Sequence, residues 1–136
     1  MSEATLHYAA VVDDDEQACR SLGRLLRAFG LQPIFYPSGE AFLACTSRPR
    51  FDCLILDIQL GGMSGIELGE RLMAEGGHPP VIFITAHDDP ESRAEAEAVG
   101  CAAYFRKTDS DADVLEAVRR VTEMNWPSHR TTSRLS

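Results

Sequence analysis

Three aspartates, a threonine and a lysine occupy comparable places in this 136-residue chain, because each follows or closes a short apolar run. Asp13 and Asp14 follow YAAVV (8–12), Asp57 closes FDCLILD (51–57), Thr85 lies at the end of PPVIFITA (79–86) and Lys107 ends CAAYFRK (101–107). Three carboxylates crowded together repel one another and raise one another's pKa values. A hard divalent cation removes that conflict. Mg²⁺ takes oxygen ligands at about 2.0–2.1 Å, accepts one or two carboxylates and keeps waters and a phosphate oxygen. Asp13, Asp14 and Asp57 therefore read as a Mg²⁺ site with open positions. Lys107 supplies a compact positive charge and Thr85 a hydroxyl donor. These parts suit in-line phosphoryl transfer, where placement and electrostatics carry most of the catalysis. A carboxylate can itself be the nucleophile and become an aspartyl phosphate. Asp57, central among the strands, is the best candidate, and Gly61 and Gly62 let the following loop turn closely past it.

Such convergence demands a scaffold that brings five distant residues to one rim. The run YAAVV reads as a strand, and the segment 15–30 follows with Ala18, Leu22, Leu25, Leu26 and Phe29 at helical spacing and Gly30 where a terminating glycine belongs. LQPIFYP (31–37) is a short strand whose prolines predict an edge position. Ser38 starts a short helix over 38–47. The strand ending in Asp57 precedes an amphipathic helix over 65–77, and the strand ending near Thr85 precedes a helix opened by Asp89 and Pro90. The strand ending in Lys107 precedes a last helix over 110–124. Five β-α repeats with short connections predict a flavodoxin-like, doubly wound α/β fold, with a parallel sheet in the order 2-1-3-4-5. Ligands of such sheets sit beyond the carboxyl ends of the strands, at the topological switch point. One domain over 6–124 is expected, with 125–136 a flexible tail or linker stub.

Composition narrows the function classes. Net charge is −8, and the first 118 residues hold nine basic against twenty acidic side chains. A body this acidic predicts no direct contact with nucleic acid. No run approaches the ~20 apolar residues of a membrane span, and the N-terminus lacks a secretory pattern, so a cytoplasmic location and no membrane partner are expected. Cys19, Cys45, Cys53 and Cys101 show no metal-ligand spacing and read as small apolar residues.

The acidic pair in VVDDDE, the aspartate in LILDIQLGGMSGIEL, the Thr85-Ala86 pair in VIFITAHDD, and YFRK with Tyr104 and Lys107 together resemble the receiver domain of bacterial two-component response regulators. PSGEAFL and ITAHDD resemble the subgroup whose receivers precede a helix-turn-helix output domain. The resemblance implies that Asp57 accepts a phosphoryl group from a phosphohistidine of a sensor histidine kinase. It implies that Asp14 and Asp57 ligate Mg²⁺ directly, that Asp13 acts mainly through metal-bound water, and that the backbone carbonyl of Gln59 completes the shell. Thr85 would bond a phosphoryl oxygen, Lys107 would pair with Asp57 or its phosphate, and Tyr104 would swing inward. That movement would alter the face built from the fourth helix, fifth strand and fifth helix, and homodimerisation on phosphorylation could follow. The residues alone leave Tyr104 equally a plain core aromatic.

Two departures from the family stand out. Thr108 replaces the proline usual after the lysine, which predicts a trans bond there, since cis costs about 2.5–4 kcal/mol before a non-proline residue. Gly61 replaces a common proline, which predicts a more mobile 58–64 loop. Gln59 and His87, each two residues past a site residue, are expected to govern phosphate lifetime. A Mg²⁺-dependent, Asp-nucleophile phosphohydrolase is the rival enzyme. It would carry an acid where Gln59 stands and a domain to cover its substrate. A degenerate receiver that binds partners without phosphorylation is the other alternative. The signalling reading makes the chain no enzyme beyond its own modification.

Overall fold

The computed structural model describes residues 7–125. Strands β1 (Tyr8–Val12), β2 (Gln32–Tyr36), β3 (Cys53–Asp57), β4 (Val81–Thr85) and β5 (Ala103–Arg106) alternate with helices α1 (Glu16–Phe29), α2 (Gly39–Ala44), α3 (Gly65–Glu75), α4 (Pro90–Val99) and α5 (Asp111–Asn125). The strands form one sheet in the order β2-β1-β3-β4-β5, every neighbouring pair parallel, as the alternation predicts. The proline-bearing β2 is an edge strand, where a missing N–H costs no ladder bond.

Side chains alternate across the sheet and divide the core in two. Ala10, Val12, Leu54, Leu56 and Phe83 join Phe42, Ile66, Leu68, Leu72 and Val99 on the face covered by α2, α3 and α4. Ala9, Val11, Ile55, Ile82 and Ile84 join Leu22, Leu26, Val114 and Val118 on the face covered by α1 and α5. Burial on both faces is why β3 and β4 read as unbroken apolar runs.

Helix ends follow their local chemistry. Asp15 caps α1 by accepting from the backbone N–H groups of Gln17 and Ala18, and Gly30 closes it with φ 107°. Ser38 caps α2 and Asp89 caps α4. Ser64 and Glu67 form a reciprocal capping box on α3, a Ser-x-x-Glu pattern that the sequence analysis passed over. The last helix runs one residue past its expected end, and the tail expectation for 126–136 lies outside the described residues. No cis peptide bond occurs among the described residues, so the Lys107–Thr108 bond is trans, as expected. No described helix is long and apolar enough to cross a membrane.

Candidate functional site

Strand register builds the site. Val12 pairs with Leu56, so the next residues, Asp13 and Asp57, come level on neighbouring central strands. Asp57 pairs with Ile84 and Thr85 with Arg106. Thr85 and Lys107 thus emerge beside Asp57 at the same rim. Lys107 lies one residue beyond β5, where the sequence placed the strand's end. The edge strand β2 supplies no comparable group, also as expected.

Asp13 and Asp57 are buried, at 3% and 2% exposure, while Asp14 is exposed. Each of the three offers a carboxylate oxygen, and these oxygens lie within 4.8 Å of one another. Lys107 reaches between the two buried acids, with Nζ 3.1 Å from Asp57 Oδ2 and 3.2 Å from Asp13 Oδ1. It also lies 3.7 Å from Asp15 Oδ2, so the helix cap contributes charge to the site. Asp57 Oδ1 accepts the Gln59 backbone N–H at 3.0 Å, and Asp13 Oδ1 accepts that of Asp15 at 2.9 Å.

The electrostatics match this crowding. The Asp57 carboxyl is pushed up to about 6, first by burial, then by the neighbouring Asp13 charge and a hydrogen bond with Asp13; Lys107 opposes the rise. Burial alone would lower the Lys107 pKa, but its hydrogen bonds to Asp13 and Asp57, and their charges, outweigh that and hold the ammonium above its ordinary value. One ammonium cannot neutralise three carboxylates. Asp13 Oδ2 is the buried side-chain oxygen among the described residues that has no hydrogen bond, although Lys107 Nζ lies 3.1 Å from it. An under-satisfied buried carboxylate oxygen, two further carboxylates within reach and an open side toward solvent at Asp14 fit a divalent cation.

Thr85 is fully buried. Its hydroxyl lies 2.6 Å from Gln59 Oε1 and 3.0 Å from the His87 carbonyl, and it accepts the His87 backbone N–H at 3.0 Å. Gln59 Nε2 lies 3.4 Å from the His87 carbonyl. The backbone of His87 meets Thr85. Tyr104 is half-buried. Its hydroxyl donates to Asp88 Oδ1 at 2.9 Å and its ring lies under the Arg93 guanidinium, 4.6 Å away. Burial, then the Asp88 hydrogen bond and charge, push its phenol up to about 12.

Two contributors escaped the sequence analysis. Asp88 holds Tyr104 at the α4 side, and a second acid in HDD was its only signal. Gly65 starts α3 directly against β3, where a Cβ would collide with the Asp57 backbone carbonyl. Of the two glycines singled out near Asp57, Gly62 has φ +75° and sits against Glu40, whereas Gly61 has neither a positive φ nor a close neighbour. The close approach belongs to Gly65.

The comparisons with known proteins converge on this architecture. The chain is 37% identical over 109 residues to the transcriptional regulatory protein FixJ of Azorhizobium caulinodans, covering 80% of this chain and 52% of that protein. It spans about half the length of the curated relatives it matches. A crystal structure of a response regulator receiver protein from Burkholderia phymatum is 45% identical, with a TM-score of 0.73 over 85% of this chain and 94% of that one. The beryllofluoride-activated receiver domain of DrrB, a Thermotoga maritima protein, is 27% identical with a TM-score of 0.78, covering 88% and 99% of the two chains. The family model described as the response regulator receiver domain matches residues 9–119. With its sheet order, its acid cluster and its lysine all in place, the chain belongs to the response regulator receiver domain family of two-component systems.

Proposed function

We propose that Asp57 is the phosphoacceptor of a signalling switch, taking its phosphoryl group from a phosphohistidine of a sensor histidine kinase. The observation that carries the reading is Lys107 Nζ at 3.1 Å from the buried Asp57 Oδ2, with Asp13 and Asp14 alongside. In the transfer, an Asp57 carboxylate oxygen forms a bond to phosphorus as the phosphorus–nitrogen bond to the donor imidazole breaks. The imidazole leaves with the bonding pair.

Asp13, Asp14, Asp57 and the Gln59 carbonyl would hold Mg²⁺. When bound, that ion supplies positive charge against the acids and the incoming phosphoryl oxygens. The chain's own residues do the remainder. Lys107 offsets charge at Asp57 and stays protonated because both buried acids hold it. Thr85 supplies a hydroxyl donor to the modified acid. Phosphorylation adds about −1.5 to −2 charges and three acceptor oxygens, which favour whichever conformation brings Thr85 and Lys107 closest. Tyr104, joined to the β4–α4 loop through Asp88, would carry that change to the α4–β5–α5 face, where a second copy or an output partner would dock. The name of FixJ as a transcriptional regulatory protein supports regulation of transcription as the wider setting.

Incubation with acetyl phosphate and Mg²⁺ tests the reading by intact mass. The expected result is one phosphoryl group per chain, absent from Asp57→Asn. Sustained multiple turnover would favour the hydrolase, and no adduct at all would favour the degenerate form.

A further inference from the structure

Thr85 is already engaged in the resting chain. A hydroxyl has one proton to give. Here that proton faces Gln59 Oε1 at 2.6 Å, at the short end of the O–H···O range, against 3.0 Å to the His87 carbonyl. The carboxamide orientation is fixed by its surroundings. Thr85 Oγ1 accepts the His87 N–H and keeps a second lone pair, so the deciding partner is the His87 carbonyl, which can take only a donor and meets Gln59 Nε2 at 3.4 Å. Turning the amide over would set two carbonyl oxygens against each other. A closed ring therefore links the loop after β3 to the end of β4, and it consumes the donor that a phosphoryl oxygen on Asp57 would require. The Gln59 backbone N–H meanwhile donates to Asp57 Oδ1, so the residue whose side chain holds Thr85 is bound through its own backbone to the acceptor.

We infer that the Gln59 side chain is a latch, a positioning residue that acts through Thr85. It holds the hydroxyl in the resting arrangement and opposes modification until the carboxamide is displaced. The inference rests on Asp57 being the phosphoacceptor, and it differs from steric screening in a measurable way. A screen depends on the bulk of residue 59. A latch depends on its acceptor oxygen. Once Gln59 is gone, Thr85 still has the His87 carbonyl, so the resting state loses one hydrogen bond. One net hydrogen bond corresponds to about a two- to tenfold change in an equilibrium constant.

Beryllofluoride affinity in saturating Mg²⁺ tests this by titration calorimetry on wild type, Gln59→Met, Gln59→Ala and the same substitutions in Thr85→Ala. Gln59→Met keeps the length of the side chain and removes the acceptor. The latch requires both Gln59 variants to bind about two- to tenfold more tightly than wild type, and requires that gain to vanish in Thr85→Ala. A gain in Gln59→Ala with Gln59→Met unchanged would assign the effect to bulk and overturn the latch. An undiminished gain in Thr85→Ala, or no gain in either variant, would overturn it as well. All three leave the phosphoacceptor reading standing. Absence of saturable beryllofluoride binding by wild type would instead remove that reading, and the latch with it.

Discussion

Replacing Asp57 with asparagine should stabilise the metal-free protein at neutral pH while abolishing its modification. Asparagine keeps the shape of the side chain and removes a charge that the site tolerates poorly. The folded carboxyl is raised from 3.8 to about 6, chiefly by burial and then by Asp13. A raised folded-state pKa means that folding favours the protonated acid. The penalty is therefore small below the unfolded value, grows as pH rises from 3.8 to about 6 and is complete above it. At about 1.4 kcal/mol per pH unit, the shift of roughly two units amounts to about 3 kcal/mol at pH 8 and about 0.5 kcal/mol at pH 4. For a domain of this size, about 3 kcal/mol corresponds to roughly 10 °C in Tm. Thermal unfolding of wild type and Asp57→Asn in chelator, followed by circular dichroism across this range, measures the gap directly. A gap of the same size at pH 4 and pH 8, or an asparagine variant less stable than wild type at pH 8, would refute the reasoning. Added Mg²⁺ should raise the wild-type Tm more than that of the variant and narrow the gap, because a ligand stabilises by binding the folded state alone.

Three other outcomes follow from the same geometry. Lys107→Met leaves the Asp13 and Asp57 carboxylates without their shared counter-charge; beryllofluoride affinity should fall at least about tenfold, the scale of a lost hydrogen bond to a charged group, and an unchanged titration would contradict the pairing. Gly65→Ala drives a Cβ into the Asp57 backbone carbonyl and should cost about 1–3 kcal/mol in urea unfolding, whereas full wild-type stability would show that the contact relaxes freely. The Tyr104 phenol, pushed up to about 12, should titrate lower in Asp88→Asn, where the carboxylate charge is gone and only a neutral amide acceptor remains; ultraviolet absorbance titration, with Tyr104→Phe to isolate the signal, reads the change.

The fold was legible because its central strands are buried on both faces. Unbroken apolar runs such as VIFIT end abruptly in a polar residue only where the chain leaves the core, so the ends of four strands announced the site. The caps at Ser38 and Asp89 were equally local signals. What stayed hidden depends on relative placement in space. That Gly65 rather than Gly61 meets the Asp57 backbone is decided by how α3 docks on β3. The partners that Gln59, Tyr104 and His7 find at Thr85, Asp88 and Asp52 lie 26, 16 and 45 residues away in the chain. Sequence spacing carries no information about such contacts, and hydrophobic periodicity carries none about where a polar side chain turns.

The abutment of α3 on β3 leaves the rim with a walled-in side and a loosely tied one. Asp57 ends a strand flanked on both edges, and its own carbonyl is walled in by the first residue of the next helix. It has nowhere to travel. Thr85 and Tyr104 instead lead into the exposed stretch 86–88, tied down by a few hydrogen bonds that can be exchanged one for another. If Asp57 is modified as proposed, the change would therefore leave through the β4–α4 side of the molecule, with the opposite flank around β2 and α1 as ballast.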